Sequence, residues 1–139
     1  MASFDGWRAQ YFSTVELADP AISGMAATPD GDRVPNLLKY YLGLPGRAPV
    51  LPDSLPKGSL LSVGGQLFAA LSWMHDKSVT DVDCQPEISS DLTNWLSGPG
   101  FIQFEPPLDA GALEELTARE ITPLGGAPPQ FMRLMLQPR

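Results

Sequence analysis

Fifteen prolines and thirteen glycines interrupt this chain of 139 residues at short intervals. Because proline disrupts helices and central strands and glycine favours turns, long regular elements are disfavoured and short elements joined by turns are expected. Hydrophobic residues make up 43% of the chain and charged residues 18%, which is typical of a globular domain rather than a disordered one. A turn-rich globular chain of this length favours an all-β body, and it can bury a core without disulfides.

The second half of the chain carries the apolar–polar alternation and the turn residues of β-strands. Gly64 and Gly65 separate two such segments, 59–63 and 66–73, and this pair predicts a tight hairpin. Further strands are predicted at 79–89, 101–105, 113–121 and 131–137. We therefore predict a mainly β fold, an antiparallel β-sandwich of five to seven strands over residues 58–137.

The N-terminal part of the chain has the spacing of helices instead. Aromatic residues recur at helical intervals within 4–18. A second helix is predicted over 36–44, because Pro35 favours a helix start and Gly43 favours a helix end. The two helices flank an acidic loop and complete a helix–loop–helix segment over residues 4–45, which we expect to form one integrated domain with the sandwich.

The acidic loop between these helices has the spacing of a calcium-binding loop. Such loops place oxygen ligands at positions 1, 3, 5, 7, 9 and 12, with a backbone carbonyl at position 7 and a bidentate carboxylate at position 12. Counting from the first ligand position gives five candidate metal ligands: Thr28, Asp30, Asp32, Val34 through its carbonyl, and Asn36. Lys39 stands at position 12, and Arg33 stands at position 6, where glycine is usual.

Lys39 leaves two interpretations of this loop open. Loss of the position-12 acid removes two oxygen ligands, and calcium needs six to eight, so tight calcium binding is disfavoured. In the sharper interpretation, the Lys39 ammonium pairs with Asp30 or Asp32 and substitutes for the loop cation. We predict no cofactor, with a weakened calcium site as the alternative. A left-handed turn at Arg33 would cost about 1 kcal/mol relative to glycine.

Composition excludes several classes of function. The net charge of −7 repels phosphate backbones and no basic cluster offsets it, which argues against nucleic-acid binding. Cys84 is the only cysteine, so that neither an intrachain disulfide nor a cysteine zinc site is available. The sequence contains no hydrophobic run of the length that spans a membrane, and no signal peptide is recognisable.

Five short motifs occur along the chain in a characteristic order. They are W-R-x-x-Y-F from Trp7, P-A-I-S-G from Pro20, the acidic loop with N-L-L-K-Y-Y-L-G from Asn36, S-S-D-L-x-x-W from Ser89, and F-x-R-L from Phe131. Their order resembles a C-terminal accessory module of large secreted or surface proteins of Verrucomicrobia and Planctomycetes. The loop of that module is itself similar to thrombospondin type 3 and dockerin calcium loops, and it usually has Asp, Gly and Glu where this chain has Thr28, Arg33 and Lys39.

The resemblance implies a noncatalytic accessory module that anchors, sorts or spaces a larger secreted bacterial protein. It implies a secreted or cell-surface location. The partners would be other domains of the parent protein, or a cell-surface or polysaccharide partner. It supplies no demonstrated activity for the module.

Two other functions are weighed against this one. In a carbohydrate-binding module, exposed Trp73 and Tyr40 would stack on sugar rings. An unrecognised hydrolase would use the sole histidine, His75, or the carboxylates of Asp81 and Asp83 on one strand face, although water-facing acids and a solvent-exposed histidine are commoner arrangements. An array of exposed aromatics would favour sugar binding, a pocket that holds His75 with an acid would favour catalysis, and a smooth surface would favour a spacer.

Overall fold

The computed structural model describes residues 2–124 and 131–139 of the chain. The helices in these residues are α1 (Phe4–Tyr11), α2 (Thr14–Leu17), α3 (Pro20–Ser23) and α4 (Asn36–Leu42), followed by a 3-10 turn at Pro52–Ser54. The strands are β1 (Lys57–Val63), β2 (Gln66–Asp76), β3 (Val82–Ser89), β4 (Ile102–Phe104), β5 (Leu108–Ala110), β6 (Leu113–Glu120) and β7 (Phe131–Pro138). No helix in the described ranges is long and apolar enough to cross a membrane.

The seven strands form two antiparallel sheets. The larger sheet has the order β1-β2-β6-β4, with β5 also paired to β6, and the smaller sheet consists of β3 and β7. The predicted mainly β fold, an antiparallel sandwich preceded by short helices, is confirmed. Strand β5 was not predicted, because three exposed residues between turns carry no alternation that sequence analysis could detect.

The hairpin between β1 and β2 forms where the sequence predicted it. Val63 pairs with Gln66 across the turn, and Gly64 and Gly65 have φ angles of 60° and 81°. Two consecutive left-handed residues match the twist of the flanking strands, and glycine adopts this conformation without strain. The diglycine therefore sets the register of the whole β1–β2 pair.

The helix predicted over 4–18 is divided into two helices. α1 ends at Tyr11, and Ser13 starts α2 with a capping box: its side chain accepts from the Glu16 amide while the Glu16 carboxylate accepts from the Ser13 amide. The side chain of Arg8 joins α1 to the ends of α2 and α3, because it donates to the backbone carbonyls of Leu17 and Ser23. The continuous spacing of aromatics did not reveal this local cap.

Helix α4 packs against β2 and is buried on almost every side. Its buried residues are Asn36, Leu37, Lys39, Tyr40, Tyr41 and Leu42. Gly43 ends the helix with a φ of 77°, as predicted, and a Cβ there would lie 2.8 Å from Leu113. A helix without a solvated face is unusual for a surface segment, so α4 belongs to the core.

One hydrophobic core runs through the helical segment and both sheets. Its members include Phe4 of α1, Leu42 of α4, Leu71 and Trp73 of β2, Ile88 of β3 and Ala118 of β6. The segments 4–45 and 58–137 therefore share a core. The strand predicted from 79 begins only at Val82, because the chain first makes a turn in which the Val79 amide donates to the Asp76 carbonyl. The Asp81 carboxylate, just before β3, accepts hydrogen bonds from the Phe4 amide and the Tyr40 hydroxyl.

Candidate functional site

The acidic loop closes around the amino group of Lys39. The Lys39 Nζ lies 2.8 Å from Asp30 Oδ2 and 3.2 Å from Asp32 Oδ2. The lysine side chain is 0% exposed and each carboxylate is 9% exposed, so this is a buried ion pair with two acids. The contact is the one that the sequence analysis expected for a lysine at position 12 of the loop.

Backbone groups hold Asp32 in place from the other side. Its carboxylate accepts from the Val34 amide at 3.0 Å and from the Val50 amide at 3.1 Å. Burial alone would raise the pKa of the Asp32 carboxyl, but these hydrogen bonds and the Lys39 ammonium outweigh burial and lower that pKa below its usual value. Asp32 is therefore held ionised, and it joins the loop to the proline-rich connector before β1.

The loop adopts its tight turns with left-handed residues. Gly31 has a φ of 70° and Arg33 a φ of 60°. The turn expected at position 6 is thus kept without glycine, at a cost of about 1 kcal/mol. The strained Arg33 lies directly after Asp32, one of the two carboxylates that pair with Lys39.

The other predicted ligands do not take part in the ion pair with Lys39. The Asn36 amide nitrogen donates to the carbonyls of Ile22 and Gly24, at 2.9 Å each, and so joins α4 to the C-terminal end of α3. Thr28 is exposed, and its carbonyl accepts the Gly31 amide within the turn. Val34 is buried in the core. The structure therefore gathers Asp30, Asp32 and Lys39, and uses the Asn36 amide nitrogen elsewhere.

Sequence analysis missed a second cation at the loop. Arg47 Nη1 lies 3.1 Å from Glu16 Oε2, and Arg47 Nε lies 3.7 Å from Asp30 Oδ1. Nothing in the local sequence marks this arginine, because it comes from the proline-rich connector. Among the residues that the structure describes, no group of three or more His, Cys, Asp or Glu has the geometry to hold a metal ion.

Trp73 and Tyr40 are not on the surface, and their predicted role as an exposed sugar-binding platform is wrong. Trp73 is 3% exposed and Tyr40 is 2% exposed. Trp73 lies on the inner face of β2 and donates from Nε1 to the Tyr41 hydroxyl at 3.2 Å, while the Tyr40 hydroxyl donates to Asp81. Both side chains are anchors of the core, because their apolar rings are buried and their polar atoms have partners.

His75 is half-buried and held on both ring nitrogens, which corrects its interpretation as a solvent-exposed residue. Its Nδ1 lies 3.0 Å from Glu114 Oε1 and its Nε2 lies 3.0 Å from the Val79 carbonyl oxygen, while its ring stacks on Tyr41 at 4.7 Å. Both ring nitrogens are therefore engaged by oxygen atoms of the protein. A histidine in this arrangement presents no free ring nitrogen to a substrate.

The thiol in the depression beside His75 is not activated as a nucleophile. The depression is an open hollow of about 560 Å³ that Cys84 lines as well. Burial raises the pKa of the Cys84 thiol to about 11, so that the thiol is protonated near neutral pH. Ser72 bonds Thr117 on the other face of the sheet, and Asp83 pairs with Arg139. The three residues considered for a hydrolase, His75, Asp81 and Asp83, are therefore all held in structural contacts.

A second unanticipated feature is an open depression near the end of β6, and most of the residues that line it are exposed. A cavity of about 310 Å³ is lined by Asp91 and by Glu120, whose residue surface is 3% exposed. Burial raises the pKa of the Glu120 carboxyl. Backbone amides of Asn94 and Thr93 and the Ser89 hydroxyl lower the pKa of the Asp91 carboxyl well below its usual range.

The inward position of Glu120 could have been deduced only from the register of β6. Residues 114, 116, 118 and 120 share one face of that strand. Because glutamate occupies both ends of this series, the sequence does not mark the face as buried. Comparisons of the chain with protein-family models, with curated proteins and with solved structures returned no significant match.

Replacing Lys39 tests the weight of the buried pair. Lys39→Met keeps the length of the side chain but leaves two buried carboxylates without their cation, and we expect it to lower the free energy of unfolding by about 3–5 kcal/mol. The matched control is Lys57→Met, because Lys57 is exposed on β1 beside Asp53, and here we expect a loss of about 0.5 kcal/mol or less. Urea denaturation at equilibrium measures both. Equal losses in the two variants would contradict a structural role for Lys39.

Replacing Glu120 tests the buried carboxyl by its pH dependence. A carboxyl whose folded-state pKa is raised destabilises the folded chain once pH exceeds its unfolded-state pKa of about 4.3, and it has no such effect in more acid solution. Glu120→Gln removes this penalty, so the variant should melt at a higher temperature than the wild type at pH 7 and lose that advantage at pH 4. Glu115→Gln on the opposite face of β6 is the control. A stability difference that does not change between these pH values would contradict the assignment.

Proposed function

We propose that this chain is a noncatalytic accessory module that anchors, sorts or spaces a larger secreted bacterial protein, and that Lys39 holds its loop in place of calcium. The observation that carries the proposal is the buried lysine between Asp30 and Asp32. The lysine occupies the position in the loop sequence where a calcium loop has its bidentate acid, and its charge neutralises the carboxylates that would otherwise bind the ion. The role of the loop is then structural: it holds α4 and the proline-rich connector together.

The contacts of the reactive side chains support the noncatalytic part of the proposal. His75 is bound on both nitrogens, and Cys84 has a thiol whose pKa is raised by burial. A catalytic base or nucleophile needs a free lone pair and a pKa near the working pH. Neither residue provides both. The acids near them, Glu114 and Asp83, are paired with His75 and Arg139.

The order of the motifs supports the accessory part. Three of the five motifs perform a structural task in this fold: Arg8 ties α1 to α2 and α3, the acidic loop binds Lys39, and Asp91 caps the turn before Trp95. Residues that build a self-contained fold, without a shared catalytic centre, suit a module attached to another protein. From the resemblance we propose a secreted or cell-surface location, with the parent protein's own domains or a surface polysaccharide as partner.

Sugar binding is the weaker candidate. Its two proposed residues are in the core, and the face of Trp95 is covered by the Arg133 guanidinium, 4.0 Å from the ring centroid. A sugar-binding platform needs bare aromatic faces. Retardation of the chain on gels that contain polysaccharide is the result that would restore this alternative.

The test uses the gene of the parent protein in the organism that carries it. Deleting the residues of this module should change where the parent protein is found, in the medium or on the cell surface, while its catalytic activity per molecule stays unchanged. Cell fractionation and activity assays measure the two quantities. The matched control replaces the module by a flexible linker of similar span.

The control divides the proposal into its parts. A linker that restores the normal location supports a spacer, and a linker that does not restore it supports anchoring or sorting. Loss of catalytic activity per molecule with an unchanged location would contradict the proposal, because it would place part of a catalytic site in this module.

A further inference from the structure

The cavity near the end of β6 is an open depression with a partly apolar lining and an acidic side chain that has no use in the proposed function. Ile88 and Leu96 come from β3 and the segment that pairs with it, and Phe101 comes from the turn before β4. The volume of about 310 Å³ is at the small end of the range for ligand sites. A ligand of this size would be a small molecule or a single side chain.

The side chain of Glu120 points into the space between the sheets. Glu120 is directly opposite Ile102 in the pairing of β4 and β6, and cross-strand partners share a face of the sheet. Ile102 belongs to the hydrophobic core, so Glu120 faces the same interior. No hydrogen bond or ion pair joins the Glu120 carboxyl to another described residue, although other acids nearby, such as Glu105 and Glu87, each have an arginine partner.

The Glu120 carboxylate oxygens are therefore free acceptors at this depression. Neither oxygen is fully buried although the residue is only 3% exposed, so a ligand with a hydrogen-bond donor would replace the water that reaches them. The cavity is also negative, because Asp91 lines it and is held ionised by its hydrogen bonds. Neither lysine nor arginine occurs among the described residues that line it. The complementary ligand is therefore a cation.

The cation is better matched by an organic group than by a metal ion. Calcium needs six to eight oxygens, and the Asp91 carboxylate already accepts hydrogen bonds from Thr93, Asn94 and Ser89. An ammonium group needs only three acceptors, which the Glu120 carboxylate and the hydroxyl groups of Ser90 and Thr122 can provide.

We propose that this cavity binds a primary ammonium group carried on an apolar stem, with Glu120 as its counter-ion. The apolar walls contact the stem. The ring of Phe101, 40% exposed, lies at the cavity and adds attraction between the cation and its π face. The same chemistry is offered by a free alkylamine and by a lysine side chain of another protein. This inference does not rest on the accessory role, which concerns the parent protein.

The experiment is an NMR titration of the full chain with n-pentylammonium, followed through backbone amide shifts. Saturable shifts are expected at residues around Glu120, Phe101 and Ser90. Neutral 1-pentanol has the same stem without the charge, and it should bind at least about tenfold more weakly. A neutral alcohol that binds as tightly as the amine would overturn the proposal.

Three variants separate ligand binding from folding. Glu120→Gln should weaken binding by about tenfold or more, because it removes the counter-ion but keeps the shape. Glu115→Gln is the matched control, since Glu115 is on the same strand but faces outward, opposite Met74, and it should bind as the wild type does. Phe101→Leu should weaken binding by about threefold through loss of the ring. Equal binding by Glu120→Gln and wild type, in chains with well-dispersed spectra, would overturn the proposal.

A second titration distinguishes the sources of the ammonium group. N-acetyl-lysine methylamide carries the ammonium on a peptide-like unit, and its binding at the same residues supports a lysine side chain of a partner protein. Binding of n-pentylammonium alone supports a free amine. Absence of saturable shifts with both ligands would refute the ammonium site, and this result would leave the accessory role untouched.

Discussion

The ion pair between Lys39 and the two carboxylates of the acidic loop organises the N-terminal half of the molecule. It joins the loop to α4 through a lysine side chain that has no exposed surface. Asp32 also accepts a hydrogen bond from the Val50 amide, which ties the loop to the proline-rich segment. Asp30 also pairs with Arg47, and Arg47 in turn pairs with Glu16 of α2. Since a buried charge is tolerated only with its partners in place, every segment that supplies a partner is held to the others.

Helix α4 connects the ion pair of the acidic loop to the β-sandwich. Lys39 faces the loop, whereas Tyr41 contacts both Trp73 and His75 of β2 through its hydroxyl group and its ring. Tyr40 reaches Asp81, which lies just before β3. A short helix with so many buried side chains has little independent stability, because isolated helices of this length are marginal in water. Its order depends on the loop on one side and the sheet on the other.

Sequence analysis succeeded where local chemistry decides the structure. The diglycine turn, the Gly43 cap and the approach of Lys39 to the acids each follow from the conformational freedom or charge of residues close in sequence. It failed to predict burial where burial depends on what packs against a strand or helix from elsewhere in the chain. Trp73 and Tyr40 could face water or the core with the same spacing, and only the packing of α4 on β2 settles this. Glu120 lies among apolar residues through the register of β6, which no short sequence pattern encodes.

The central claim is that a lysine occupies the place of a metal ion, and calcium titration of the purified chain tests it most directly. We expect the melting temperature of the wild-type chain to be the same in calcium and in chelator. We expect Lys39→Glu, which restores the acid of a calcium loop, to be destabilised in chelator and to recover several degrees when calcium is added. A wild-type melting temperature that rises by many degrees with calcium would contradict the claim, because it would show that the loop still binds the ion in the presence of Lys39.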